Sequence, residues 1–226
     1  MQPRLCKFIS KVHSRKGCIL EAGCGAGRIV FELSRSASSS TFIIGLDFSL
    51  TALYKAKKQS RIYGRAFNQD FLLADIRNLP LKTSTFDFIL SLGVIEHFKN
   101  PTPLLAEMRR VLKNDGKLFL ETPNRKVFKL SSSRIQKAMN LYGHHDFYTP
   151  AELTNLLQKL DFSILDARSL DFSWGVLMWY DDCLRRFFSK YKYLDGLICV
   201  VVRALTFPLN FIFHESGFYS IVIGYV

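Results

Sequence analysis

The sequence predicts an α/β fold, a mostly parallel sheet with helices on both faces. Two observations predict it. Short apolar runs near 18–22, 42–46, 71–74, 86–91 and 117–121 alternate with helix-period segments near 27–36, 49–60 and 102–112, as βαβ units do. A glycine-rich turn also joins the first run to the first helical segment. The 226 residues suit a single domain, 1–226, with a full-sized core and a short N-terminal cap over 1–16.

The first run ends in ILEAGCGAGR, where Glu21 is followed by Gly23, Gly25 and Gly27 on alternate positions, with Cys24 inside the turn. Missing Cβ atoms let backbone approach a small molecule, and the helix that follows, RIVFELSRS, presents free N–H groups at its start. The second run, TFIIGLDFS, ends in Asp47 and Phe48. An acid about twenty residues after a glycine turn suits the two hydroxyls of a ribose. The third, FLLADIRNLPL, places Asp75 and Ile76 past its end, and the fourth, FDFILSLGVIEHF, carries Ser91, Leu92, Glu96 and His97. PTPLLAEMRRVLKNDGKLFLETPN reads as helix, turn and fifth strand. FSILDARS, 162–169, is the sixth strand, and GFYSIVIGYV the seventh. The sequence stops inside that strand with no polar tail, as expected of a chain that continues past Val226.

Glycine spacing separates two cofactor classes. A dinucleotide site needs a small third residue, and counting from Gly23 that position is Arg28. Glu-x-Gly-x-Gly-x-Gly instead resembles motif I of the class I S-adenosylmethionine (SAM) dependent methyltransferases, of the type 11/12 kind. LKNDG is similar to that family's LKPGG turn, and GHHDFYTPAELTNLLQKLDF to its F-x-x-x-E-L-x-x-L-L helix. The resemblance covers about residues 17–170 and the last strand. It implies a Rossmann-like seven-stranded sheet whose last strand runs antiparallel between strands five and six. It also implies that the turn Gly23, Cys24, Gly25, Gly27 holds the methionine end of SAM, with Glu21 near its ammonium. Asp47 and Phe48 then face the ribose, Asp75 and Ile76 the adenine, and Ser91 and Leu92 lie beside the sulfonium. The product would be S-adenosylhomocysteine.

A closer resemblance bears on the acceptor. Ubiquinone-biosynthesis O-methyltransferases carry E-x-x-E-H after strand four and a G-x-H-D segment before F-x-x-P-x-E-L. Glu96, His97, Gly143, His145, Asp146, Pro150, Glu152 and Leu153 match parts of this. Gly93 stands where the first acid belongs. A hard cation would lose a carboxylate ligand, so no metal is expected. The match favours O-methylation of a small lipophilic molecule, a quinone precursor or a lipid. A histidine near its ordinary pKa can take a phenolic proton, which makes His145, His144 and His97 the catalytic candidates.

Between strands six and seven, residues 171–215 form a helical insert rich in large apolar and basic side chains. Leu194 to Phe213 has the length of a membrane span, but Asp195, Arg203, Pro208 and Asn210 interrupt it, and a central Arg costs roughly 3 kcal/mol in a spanning helix. Packing on the sheet edge, a lid over an apolar pocket, and contact with an anionic membrane surface are the three readings of the insert.

The five cysteines, Cys6, Cys18, Cys24, Cys183 and Cys199, show no metal spacing and are odd in number, so a reduced cytoplasmic compartment is expected, to which the third reading of the insert would add membrane association. The basic start, MQPRLCKFISKVHSRKGC, lacks the apolar core of a signal peptide. A formal net charge of +12 keeps an RNA methyltransferase as the alternative function. No (D/N)-P-P-(Y/F) motif after strand four and no RNA-binding module accompanies it, so nucleic acid is the less favoured partner. The other alternative is a SAM-binding subunit without catalysis.

Overall fold

A computed structural model describes residues 17–37, 39–63, 68–130, 137, 143, 146–170 and 219–226. The N-terminal cap 1–16, the insert 171–215, His144 and His145 lie outside the described residues. The strands are β1 Gly17–Ala22, β2 Thr41–Asp47, β3 Gln69–Leu73, β4 Phe86–Leu92, β5 Leu112–Pro123, β6 Ser163–Leu170 and β7 Tyr219–Tyr225. The described helices are α1 Arg28–Ser36, α2 Leu50–Tyr63, α3 Thr102–Val111, α4 Arg125–Leu130 and α5 Pro150–Gln158.

The seven strands form one sheet in the order β3-β2-β1-β4-β5-β7-β6. Pairing is parallel from β3 through β5, and β7 is antiparallel to both β5 and β6. This is the architecture expected from the alternating pattern and the resemblance.

Alternation along the strands divides the core between two faces. Leu20, Ile89, Leu118, Leu120 and Val222 pack on one side with Leu104, Leu105, Met108 and Val111 of α3. Ile19, Leu90, Phe119 and Ile221 pack on the other, with Val30 and Leu33 of α1 and Leu53 and Ala56 of α2. Central strands are buried on both faces, which is why they read as continuous apolar runs.

One boundary differs from the sequence expectation. LKNDG, read as a turn, belongs to β5, which starts at Leu112. Phe86 pairs with Leu112, but Phe88 pairs with Lys117, so the ladder absorbs extra residues on the β5 side. Asp115 takes a left-handed φ of 64° and its N–H donates to the Val226 carbonyl at 3.2 Å. The bend is therefore built into the strand end as a bulge. Helix α4, which no periodic signal in the sequence announces, follows β5 directly.

Candidate functional site

The C-terminal ends of β1, β2 and β4 meet at one edge of the sheet, where ligands of open parallel sheets bind. After β1 the chain turns through Gly23 (φ 81°), Gly25 (φ 53°) and Gly27 (φ 81°), all left-handed. Two successive amides, Gly23 and Cys24, donate to the Leu46 carbonyl at 2.7 and 2.9 Å, fastening the turn to β2. The Gly25 N–H donates to Asp47 Oδ2 at 2.8 Å, and the Ser49 N–H to Asp47 Oδ1 at 2.8 Å.

The three glycines serve different ends. A Cβ on Gly23 would lie 2.3 Å from Val94 Cγ2, and one on Gly27 would lie 2.9 Å from Phe71 Cε1. These two are small because the protein packs against them. A Cβ on Gly25 would meet nothing within 4 Å. Its surroundings are open, as a cradle for a small molecule requires.

Glu21 lies under this turn, 4 % exposed. The nearby Val30 backbone amide favours its charged form, while Oε2 has no hydrogen-bond partner. Burial pushes its pKa up to about 8, with the nearby Asp47 charge adding to the rise. A buried acid with an unpartnered oxygen beside an open glycine fits the ammonium of SAM. Cys24 is buried as well, and burial together with the Glu21 and Asp47 charges pushes its thiol up, so it is no nucleophile at neutral pH.

Phe48, directly after Asp47, is 81 % exposed. Asp75 lies past β3, and its carboxylate is forked by Arg77, with Nη2 to Oδ2 at 2.6 Å and Nε to Oδ1 at 3.0 Å. That ion pair holds Asp75 below the usual carboxylate range. Ile76 is buried in the core. On β4, Ser91 is fully buried with no partner for Oγ, and Leu92 is half-buried.

Beyond β4 the chain enters a short 3-10 turn, Ile95–His97. Glu96 is 2 % exposed and accepts from Thr122 Oγ1 of β5 at 3.0 Å, and burial raises its pKa. His97 is exposed, and its Nδ1 lies 3.1 Å from the Gly143 carbonyl. A carbonyl only accepts, so Nδ1 carries the proton and Nε2 the lone pair in the neutral ring. The Asp146 N–H donates to the Glu96 carbonyl at 3.2 Å. The segment before α5 is thereby held against the end of β4.

Sequence reasoning missed the residues that hold this wall. Arg125 donates from Nη1 to Glu152 Oε1 at 2.8 Å and from Nε to the Phe147 carbonyl at 2.5 Å, and its Nη2 lies 3.5 Å from Asp146 Oδ1. Arg125 stands beside Lys126 and Lys129 in the sequence, yet its guanidinium turns to internal carboxylates. Thr122 was also missed, since a lone Thr in a strand carries no signal. Glu152 does have one: Thr-Pro-Ala-Glu is a capping box, and Thr149 and Glu152 form it at the start of α5.

Among the described residues, no group of three His, Cys, Asp or Glu is placed to hold a metal ion, and no helix is long and apolar enough to cross a membrane.

Comparison with known proteins agrees with the geometry. Residues 20–120 match a family described as a methyltransferase domain. An uncharacterized protein of Methanocaldococcus jannaschii is 30 % identical over 159 residues, 70 % of each chain. A ubiquinone biosynthesis O-methyltransferase of Coxiella burnetii is 26 % identical over 180 residues, 76 % of this chain and 75 % of the relative. Among solved structures, phosphoethanolamine N-methyltransferase 2 of Haemonchus contortus in complex with SAM superposes with a TM-score of 0.68 at 15 % identity, covering 99 % of this chain and 52 % of that one; at that identity it shows the fold. The strand order, the glycine turn after β1 and these relatives lead to one conclusion: the chain belongs to the SAM-dependent methyltransferases.

Proposed function

We propose that this enzyme methylates an oxygen of a small, lipophilic acceptor, such as a quinone precursor or a lipid, with SAM held over the Gly23–Gly27 turn. The observation that carries the cofactor part is the open space over Gly25 beside the Asp47 carboxylate and the unpartnered Glu21 oxygen. In this reading Glu21 faces the ammonium of SAM, with Gly23, Cys24, Gly25 and Gly27 giving backbone room for the methionine end. Asp47 still has lone pairs for the ribose hydroxyls after accepting two amides. Phe48 offers a ring to the nucleoside, Asp75 and Ile76 lie at the adenine side, and Ser91 and Leu92 line the wall near the sulfur.

Bound there, SAM supplies an electrophilic methyl on a sulfonium. The residues of the chain align the acceptor, exclude water and manage one proton. His97, with its lone pair on Nε2, is the described candidate to take that proton; His144 and His145 remain candidates from the sequence. Glu96 is too buried to serve as an exposed carboxylate and instead buttresses the turn through Thr122.

The acceptor class rests on the partial E-x-x-E-H and G-x-H-D matches and on likeness to the Coxiella burnetii relative. The insert 171–215 is the proposed acceptor route within a single domain, 1–226. The test is methyl transfer from labelled SAM into a lysate, partitioned between organic and aqueous phases. Label in the organic phase that depends on Asp47 supports the reading. Label confined to the aqueous phase rejects a lipophilic acceptor. The net charge of +12 favours RNA as the second reading, which predicts RNA binding that falls steeply with salt.

A further inference from the structure

Helix α2 carries a face that neither the core nor the cofactor site uses. Its sequence, LTALYKAKKQSRIY, holds four cations, Lys55, Lys57, Lys58 and Arg61, and no acid. All four are exposed, and among the described residues none is paired with a carboxylate. Leu53 and Ala56 form the buried stripe. At 3.6 residues per turn, Leu50, Tyr54, Lys57, Lys58 and Arg61 fall together on one exposed flank beside that stripe. The apolar members of this face stand at its N-terminal end, with Leu50 68 % and Tyr54 70 % exposed. Leu73, the register partner of Asp47 at the end of β3, is 51 % exposed at the same end of the sheet.

We infer that this face docks on an anionic lipid surface, with Leu50, Tyr54 and Leu73 entering the headgroup boundary and Lys57, Lys58 and Arg61 meeting lipid phosphates. Charge complementarity argues for an anionic occupant, since four unpaired cations stand on one helix without a single acid. The aliphatic pair argues for lipid over nucleic acid. Leucines do not stack on bases, but they do partition into the acyl boundary, and a tyrosine suits an interface that is apolar on one side and wet on the other. Lysine and arginine stems can lie along the apolar boundary while their charges stay in water. The apolar end of the face begins three residues after Asp47, so docking would bring the mouth of the cofactor site to the lipid. The inference does not depend on which acceptor the enzyme uses, although a lipophilic acceptor would be delivered there.

The test is co-sedimentation of the full chain with phosphatidylcholine vesicles, with and without phosphatidylglycerol. Three exposed cations contribute about a hundredfold in partitioning at the strength typical of basic residues near an anionic surface. Lys57→Gln with Lys58→Gln and Arg61→Gln should therefore lose roughly that factor on phosphatidylglycerol vesicles. A second triple, Lys82→Gln with Lys99→Gln and Lys159→Gln, removes the same charge from exposed sites elsewhere and should keep most of the binding. Tyr54→Ser, which changes no charge, should weaken binding severalfold. Calorimetric SAM binding by each variant reports that the site and fold are intact. Equal loss in both triples would mean that bulk charge drives the binding, and undiminished binding in the α2 triple would place the contact elsewhere. Either result overturns the inference. So would a natural chain that ignores the vesicles, including one that binds RNA with a steep salt dependence instead.

Discussion

The Gly25 amide donates to the Asp47 carboxylate across 2.8 Å, which ties the turn after β1 to the end of β2. One side chain thus shapes the cradle and lines it. Asp47→Ala removes both a clamp on the turn and the proposed ribose acceptor. Hydrogen bonds to a charged group are worth about 1.5–3 kcal/mol, so SAM affinity should fall at least about tenfold. Calorimetric titration checks this, with the thermal midpoint read alongside.

Glycine substitutions should separate binding from folding. Gly25→Val meets open space and carries only the backbone strain of its φ of 53°, so it should lose less stability than the Gly27 variant while no longer binding SAM. Gly27→Val would drive a side chain into Phe71 and Phe31 and should lose stability first. Circular dichroism melts beside SAM titrations distinguish the two. Equal loss of stability in both variants would contradict the division of labour.

The raised pKa of Glu21 makes two linked predictions. Below its ordinary value of 4.5 the carboxyl is protonated in both the folded and the unfolded chain. Between 4.5 and about 8 the unfolded chain alone gives up the proton, so the cofactor-free protein should lose stability as pH rises through that window, with no further loss above it. An ammonium partner favours the carboxylate, so SAM binding should release a proton and tighten with pH in the upper part of the window, at most about tenfold per pH unit. Glu21→Gln should flatten both profiles. Urea melts and SAM titrations across the window measure them.

Thr149→Ala removes the capping box of α5 and should cost about 1 kcal/mol. Arg125→Met should cost a comparable amount, since it leaves Glu152 and the Phe147 carbonyl without their guanidinium. The two sites share Glu152, so the double variant should lose less than the sum of the single losses. Denaturant unfolding of the single and double variants provides the check.

Much of this was legible in the sequence because the signals were local. Strands buried on both faces read as apolar runs, and a left-handed turn reads as glycines. The antiparallel place of β7 came from the resemblance, since nothing in GFYSIVIGYV alone sets its direction. Contacts between distant segments were less legible. The Arg125 network joins residues 21 to 27 positions apart, and its members look like ordinary surface charges. The Asp75–Arg77 fork sits within one turn, and the Asp-x-Arg spacing carries its signal. Sequence could not separate Gly25 from Gly23 and Gly27, because all three look alike until the side chains around them are placed.

A crystal structure of the enzyme with S-adenosylhomocysteine tests the central claim most directly. The account predicts the ribose hydroxyls within hydrogen-bond distance of Asp47, the amino group beside Glu21, and the methionine end over Gly25. A product bound away from the Gly23–Gly27 turn, or with Asp47 turned from the ribose, would contradict it.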